Sequence, residues 1–200
     1  MVRGGSPHST DTHDNQKADP MAPNNPYARL PEVPAFNVTS ATVENGRPWA
    51  AAQLSGIFGM PGGVDISPAL TWSGAPAETR SFAVTVYDPD APTGSGFWHW
   101  AVANIPPDIS TLPESAGNEN GTDLPAGAFQ LPNDARMPRY VGGAPPPGHG
   151  EHRYFVTVHA LDIDDIGVSP DSTPAYLGFT MASHILARAT LIATAETPAV

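Results

Sequence analysis

Two short stretches hold most of the side chains that could bind or react with a polar ligand. "VYDPDAPTGSGFWHW", Val86 to Trp100, carries Asp88 and Asp90 on either side of Pro89, with Pro92 just beyond, then His99 between two tryptophans. Further on, "GGAPPPGHGEHRYF" carries His152 and Tyr154. Each cluster sits at one end of a strand-like run. Side chains two apart on a strand share a face. Asp88 and Asp90 are therefore expected to point the same way, as are His152 and Tyr154. His99 is expected on the face of Ala101 and Ala103, whose small side chains leave room beside an imidazole. Imidazoles and a phenol at the mouth of a sheet can donate to an anion. A carboxylate among them can orient or charge a histidine, or meet an ammonium. Each element also has a plainer role. The aspartates suit a rigid turn in which they accept backbone amides, and a histidine opening a strand often bonds a carbonyl.

Asp88, Asp90, His99 and His152 are also the types needed for a hydrolytic acid–base set or a two-histidine, one-carboxylate metal site. Neither HExxH nor GxSxG occurs, and the absence of cysteine removes thiol nucleophiles and thiolate metal ligands. The expectation is a binding pocket with no catalytic residue, no metal and no cofactor. In "YVGGAPPPGHG" the glycines would let backbone N–H groups approach a ligand. The GK[ST] ending of a phosphate-binding loop is missing. A proline-rich partner motif at "PPPG" is a weaker alternative.

The elements that must position these groups read as β. "SFAVTVY", "HWAVANI" and "RYFVTVHAL" are apolar on both alternating faces, as buried central strands are. "FNVTSATV", then "NG" at Asn45–Gly46, reads as a hairpin, with "PWAAAQL" as its return strand and "ISPALTW" as another strand. Residues 106–138 read mostly as a long loop, a length that often supports a site. "TPAYLGFTMASHILARATLIATAE" shows helical spacing, with Thr173 as cap and Pro174 at the first helical position. Leu177, Met181 and Ile185 would line one face, and Phe179, Leu186 and Ala189 another. The expected fold is a mainly β, two-sheet antiparallel sandwich with a C-terminal helix. Residues 1–25 lack apolar periodicity and read as a disordered tail, with residues 26–200 as a single domain.

Composition narrows the partners. The 200-residue chain carries 9 basic and 20 acidic residues, a formal charge of −11. Phosphate-backbone binding needs clustered Lys and Arg, so nucleic acid is not an expected partner, nor is an anionic membrane surface. No apolar run is long enough to span a bilayer, and no signal-like apolar segment opens the chain. A cytoplasmic location is expected, and the apolar terminal helix makes a homodimer reasonable.

Five landmarks in order give the chain a family likeness: "SPALTW", "DPDAP", "WHWAVANIP", "GGAPPPG" and "HRYFVTVHALD". The chain resembles the phosphatidylethanolamine-binding protein family from about Phe36 to Glu196, in the bacterial branch often called Raf-kinase-inhibitor-like, and looks most like actinobacterial-type members. The resemblance implies a β-sandwich with a small anion-accepting pocket at one end. It implies one wall from Asp88, Asp90, Ala91 and Pro92, and the next from Phe97 and His99. Val141, Gly142, Ala144 and Pro145 would supply a loop, with His152 and Tyr154 as floor. It also implies a small anionic or zwitterionic ligand, such as phosphate or phosphoethanolamine. On this reading His152 and Tyr154 act as donors and Asp88 holds His99. A kinase- or protease-inhibiting surface and a hydrolase are the alternatives. The segment Thr93 to Gly96 is shorter than in eukaryotic members, which weighs against the kinase role.

Overall fold

The computed structural model describes residues 24–200. The expected tail lies outside them except for Asn24 and Asn25. Among the described residues nine strands form two sheets: β1 (Asn37–Thr39), β2 (Arg47–Pro48), β3 (Leu70–Ser73), β4 (Ser81–Asp88), β5 (Phe97–Ile105), β6 (Thr111–Leu112), β7 (Phe129–Gln130), β8 (His152–Leu161) and β9 (Ile185–Ala195). One α-helix, α1 (Pro174–Met181), precedes β9. The small sheet has the order β1-β3-β6 and the large one β2-β9-β8-β4-β5-β7. The fold is thus mainly β and two-layered. All pairings are antiparallel except β2 with β9, which is parallel.

The three runs that are apolar on both faces become β4, β5 and β8 in the middle of the large sheet. One face, with Val84, Trp100 and Val158, packs on Leu70, Trp72 and Leu112 of the small sheet. The other face, with Ala83, Ala101 and Leu161, is partly covered by Leu177 and Met181 of α1. Two covered faces explain why these strands lack a polar alternation.

Two expectations are overturned. The terminal segment is not one helix. Thr173 does cap α1, its hydroxyl accepting from the Tyr176 amide, but the helix ends at Met181. Residues 185–195 pair with β8 along its whole length. Ala187, Ala189, Leu191 and Ala193 are buried, with Arg188, Thr190 and Ile192 between them. That is a period of two. The alanines suggested a helix, and strand pairing with burial overrode that propensity. Of the apolar residues that suggested that helix, Ile185, Leu186 and Ala189 lie in β9, Leu177 and Met181 are buried in α1, and Phe179 stays exposed. The Asn45–Gly46 turn also does not close a hairpin. It has the expected positive φ at Gly46, but β1 pairs β3 while β2 joins the other sheet beside β9. "PWAAAQL" continues into a single 3-10 turn at Ala51–Gln53.

Candidate functional site

Four of the expected side chains meet at one end of the large sheet. Asp88 closes β4, Phe97 and His99 open β5, and His152 opens β8. With Phe58, Ala91, Pro92, Thr93, Ala144 and Pro146 they line a cavity of about 130 Å³. Asp88, His99 and His152 are each at most 4% exposed.

His99 reaches the cavity through an irregularity in the sheet. Val86 is paired with Trp100 but Tyr87 with Trp98, so the register slips by one residue at His99. Such a bulge re-aims a side chain. His99 therefore does not share a face with Ala101 and Ala103, as simple alternation predicts. It turns toward the face of Tyr154, whose ring lies edge-on at 5.1 Å.

The hydrogen bonds divide the polar groups into committed and free. His99 Nδ1–H donates to the Val141 carbonyl at 2.8 Å. A carbonyl only accepts, so the proton of neutral His99 sits on Nδ1. Its Nε2 is buried and has no partner among the described residues. Burial holds the His99 pKa below its ordinary value, against the opposing pull of the Val141 carbonyl and the Asp88 charge. Neutral His99, which lines the cavity, thus keeps a bare, buried acceptor at Nε2.

Asp88 is fully committed. Oδ1 accepts the amides of Asp90 and Ala91 at 2.8 and 3.0 Å. Oδ2 accepts His152 Nδ1–H at 2.8 Å. It holds His152 rather than His99, which corrects the expected pairing. His152 Nε2 in turn meets His149 Nδ1 at 2.7 Å. His152 is therefore the middle of an Asp88–His152–His149 chain, not a free donor. The turn reading and the pocket reading of "DPDAP" both hold for Asp88, one per oxygen.

Asp90 does not share the cavity. The strand ends at Asp88, so alternation no longer applies beyond it. Asp90 forms a two-pronged ion pair with Arg153, with Nε to Oδ2 and Nη2 to Oδ1 both at 2.7 Å, and Oδ2 also accepts the Arg153 amide. Burial pushes its pKa up, but the Arg153 side-chain and backbone hydrogen bonds outweigh it and leave it lowered. This pair ties the turn to the start of β8.

Val141, Gly142, Pro145 and Tyr154 also lie outside the cavity lining, and Val141, Gly142 and Tyr154 support it from behind. The Gly142 amide, expected to face a ligand, donates to Asp65 Oδ1 at 2.8 Å. A Cβ there would sit 2.3 Å from the Leu54 carbonyl carbon, so the glycine admits a neighbouring backbone. At Gly143 a Cβ would meet the Tyr154 ring at 2.8 Å. Burial raises the Tyr154 pKa, with the Asp88 charge adding to the effect, so the phenol stays protonated. The long segment before these glycines does hold up the site. It runs beside β5, with Leu131 donating to Ala101, Asp134 to Trp98 and Val141 to His99.

Five contributors went unread in the sequence: Phe58, Thr93, His149, Pro146 and Asp65. Phe58 is half exposed at the cavity mouth, with its ring edge-on to Phe97 at 6.4 Å. His149 was visible three residues before His152, a spacing that allows contact across a turn. Asp65 carried no local signal. Among the described residues no three His, Asp or Glu side chains are set to hold a metal ion, and no helix is long and apolar enough to cross a membrane.

The sequence model of the phosphatidylethanolamine-binding protein family matches residues 39–196, most of the chain and all of this site. The chain belongs to the phosphatidylethanolamine-binding protein family. Among curated relatives, the UPF0098 protein YbcL of Escherichia coli is 45% identical over 158 residues, covering 79% of this chain and 86% of the relative. The crystal structure of YbcL superposes with a TM-score of 0.78 at 43% identity, over 80% of this chain and 98% of YbcL. A putative family homologue from Chlamydia trachomatis superposes with a TM-score of 0.67 at 32% identity, over 82% and 98% of the two chains. A UPF0098 protein of Mycobacterium tuberculosis is 32% identical over 182 residues, 88% of this chain and 78% of the relative. The likeness to bacterial members fits the bacterial branch read from the five landmarks.

Proposed function

We propose that this family member binds a small phosphate-ester anion in the Asp88–His99–His152 cavity, acting as a binding protein rather than an enzyme. The observation that carries the reading is His99 Nε2, buried beside the cavity and without a partner among the described residues. A buried polar atom left unpaired is costly, and a ligand that completes it recovers that cost. A monoanionic phosphate can donate its O–H to Nε2, or a dianion can accept from His99 once protonated. The apolar surround of Phe58, Phe97, Pro92 and Pro146 would exclude water and strengthen that bond.

The volume limits the ligand. About 130 Å³ suits a phosphate group, so any acyl chains would stay outside. Of the two expected ligand types, the anion is favoured over the zwitterion, because both Asp88 oxygens are already occupied. An ammonium therefore has little to gain there, and phosphoethanolamine should bind about as tightly as other small phosphate monoesters. A cytoplasmic location is part of the same proposal, as the place where such esters abound.

Calorimetric titration with phosphoethanolamine and inorganic phosphate tests it. His99→Ala should weaken both by about tenfold to a hundredfold, the worth of a hydrogen bond to a charged group. Equal affinity in the variant would place the ligand elsewhere. Turnover of phosphoethanolamine during titration would make the protein a hydrolase.

A further inference from the structure

A second and larger cavity lies on the opposite face of the large sheet. It measures about 880 Å³, within the range of roughly 300–1,000 Å³ usual for small-molecule sites. Its roof is the segment 24–31, and its floor includes β8 and β9. The Tyr27 hydroxyl donates to Thr157 Oγ1 at 2.7 Å and holds this roof to the sheet.

The floor carries a polar pair. His159 and Arg188 are direct register partners on β8 and β9, so their side chains lie together on one face. His159 is 1% exposed. Its Nε2 meets Thr85 Oγ1 at 3.0 Å, while its Nδ1 is buried with no partner among the described residues. Burial, with the neighbouring Arg188 charge, lowers its pKa to about 3, so it stays neutral. Arg188 lies over the Tyr27 ring at 5.2 Å. Among the described residues its Nε is likewise buried and unpaired, and the guanidinium has no carboxylate partner. Two unmade hydrogen bonds beside an uncompensated guanidinium are a defect unless something supplies the acceptor.

The charge around them points the same way. The chain has 9 basic and 20 acidic residues, yet the described lining contains Arg29 and Arg188 and no Asp or Glu. The rest of the lining is largely apolar or aromatic, with Trp98, Met181 and Ile185. We infer that this cavity is a second ligand site, distinct from the Asp88–His99–His152 pocket, and that it takes a monocarboxylate with an apolar body. The carboxylate would accept from Arg188 Nε–H and from His159 Nδ1–H. Thr85 would then donate its hydroxyl proton to His159 Nε2, which fixes that tautomer. The apolar body would lie along Met181 and Ile185 under the roof.

The test uses the full chain, with decanoate as probe and decylamine as the control of equal length and opposite charge. Decanoate should bind one per chain by calorimetry, with Arg188→Gln weakening it about tenfold or more. Decylamine should bind at least tenfold less tightly, and inorganic phosphate should not displace decanoate. The proposal is overturned if decanoate fails to bind, if Arg188→Gln binds it equally, or if decylamine matches it. Displacement by phosphate would place the probe in the other pocket and overturn it too. Should Arg188→Gln not fold, the comparison of the two probes on the unaltered chain decides.

Discussion

Phosphate binding at His99 should be proton-linked, with a slope that follows from the hydrogen-bond pattern. The Val141 carbonyl fixes the single proton of neutral His99 on Nδ1. Burial lowers its pKa, so above about pH 6.5 the free His99 imidazole is neutral. A phosphate monoester is mostly a dianion above about pH 6. A bare Nε2 facing a dianion has two acceptors and no proton. Binding must take up one proton, whether it ends on the imidazole or on the phosphate. Each pH unit above that range should then cost about 1.36 kcal/mol, or tenfold in affinity. Between about pH 6.5 and about pH 8 the dissociation constant should rise roughly thirtyfold. Calorimetry in buffers of different ionisation enthalpy counts the proton directly. One proton per ligand is expected for the unaltered chain. Binding that takes up no proton and keeps a constant affinity across this range would refute the assignment of His99 Nε2 as the contact.

Three further outcomes separate the groups around the pocket. Asp88→Asn puts an amide N–H₂ against either the turn amides or His152 Nδ1–H, and should cost about 1–3 kcal/mol in urea unfolding at neutral pH. An unchanged midpoint would mean that the Asp88 contacts are dispensable. Asp90→Asn should cost about 1 kcal/mol or less and leave phosphate affinity alone, because the Arg153 pair lies outside the cavity. The Asp90 pKa is lowered in the folded state, so its contribution is present above the unfolded carboxyl value of about 3.9. It is lost as pH falls through the folded value, so the two proteins should converge in stability in acid. Gly142→Ala drives a Cβ into the Leu54 backbone and should cost about 1–3 kcal/mol or more. It should also weaken phosphate binding by moving Val141, whereas unchanged affinity would detach that loop from the site.

Much of this site was legible because it lies at the ends of strands with strong β patterns. Asp88, His99 and His152 could be located from the ends of "SFAVTVY", "HWAVANI" and "RYFVTVHAL". Their partners could not. Whether Asp88 holds His99 or His152 depends on the slip at His99, which a two-residue period cannot reveal. Asp90 was misplaced because alternation was carried one step past the end of β4. Gly142 was read for its freedom to approach a ligand, whereas the backbone it approaches is Leu54, distant in sequence. The terminal strand was hidden by composition. "ILARATLIATA" has enough alanine to suit a helix, and only its long partner β8 decides the matter. The second cavity had no sequence signature, since His159 and Arg188 become neighbours only through the register of β8 and β9.

The central claim is that a phosphate ester meets His99 Nε2. Imidazole nitrogen NMR of the full chain, titrated with phosphoethanolamine at near-neutral pH, tests it most directly. The His99 Nε2 resonance should move from an unprotonated nitrogen toward a protonated or strongly hydrogen-bonded one, saturating with the ligand. His184, which pairs with Asp162 away from the cavity, should not move. Saturable binding that leaves His99 unchanged would contradict the account.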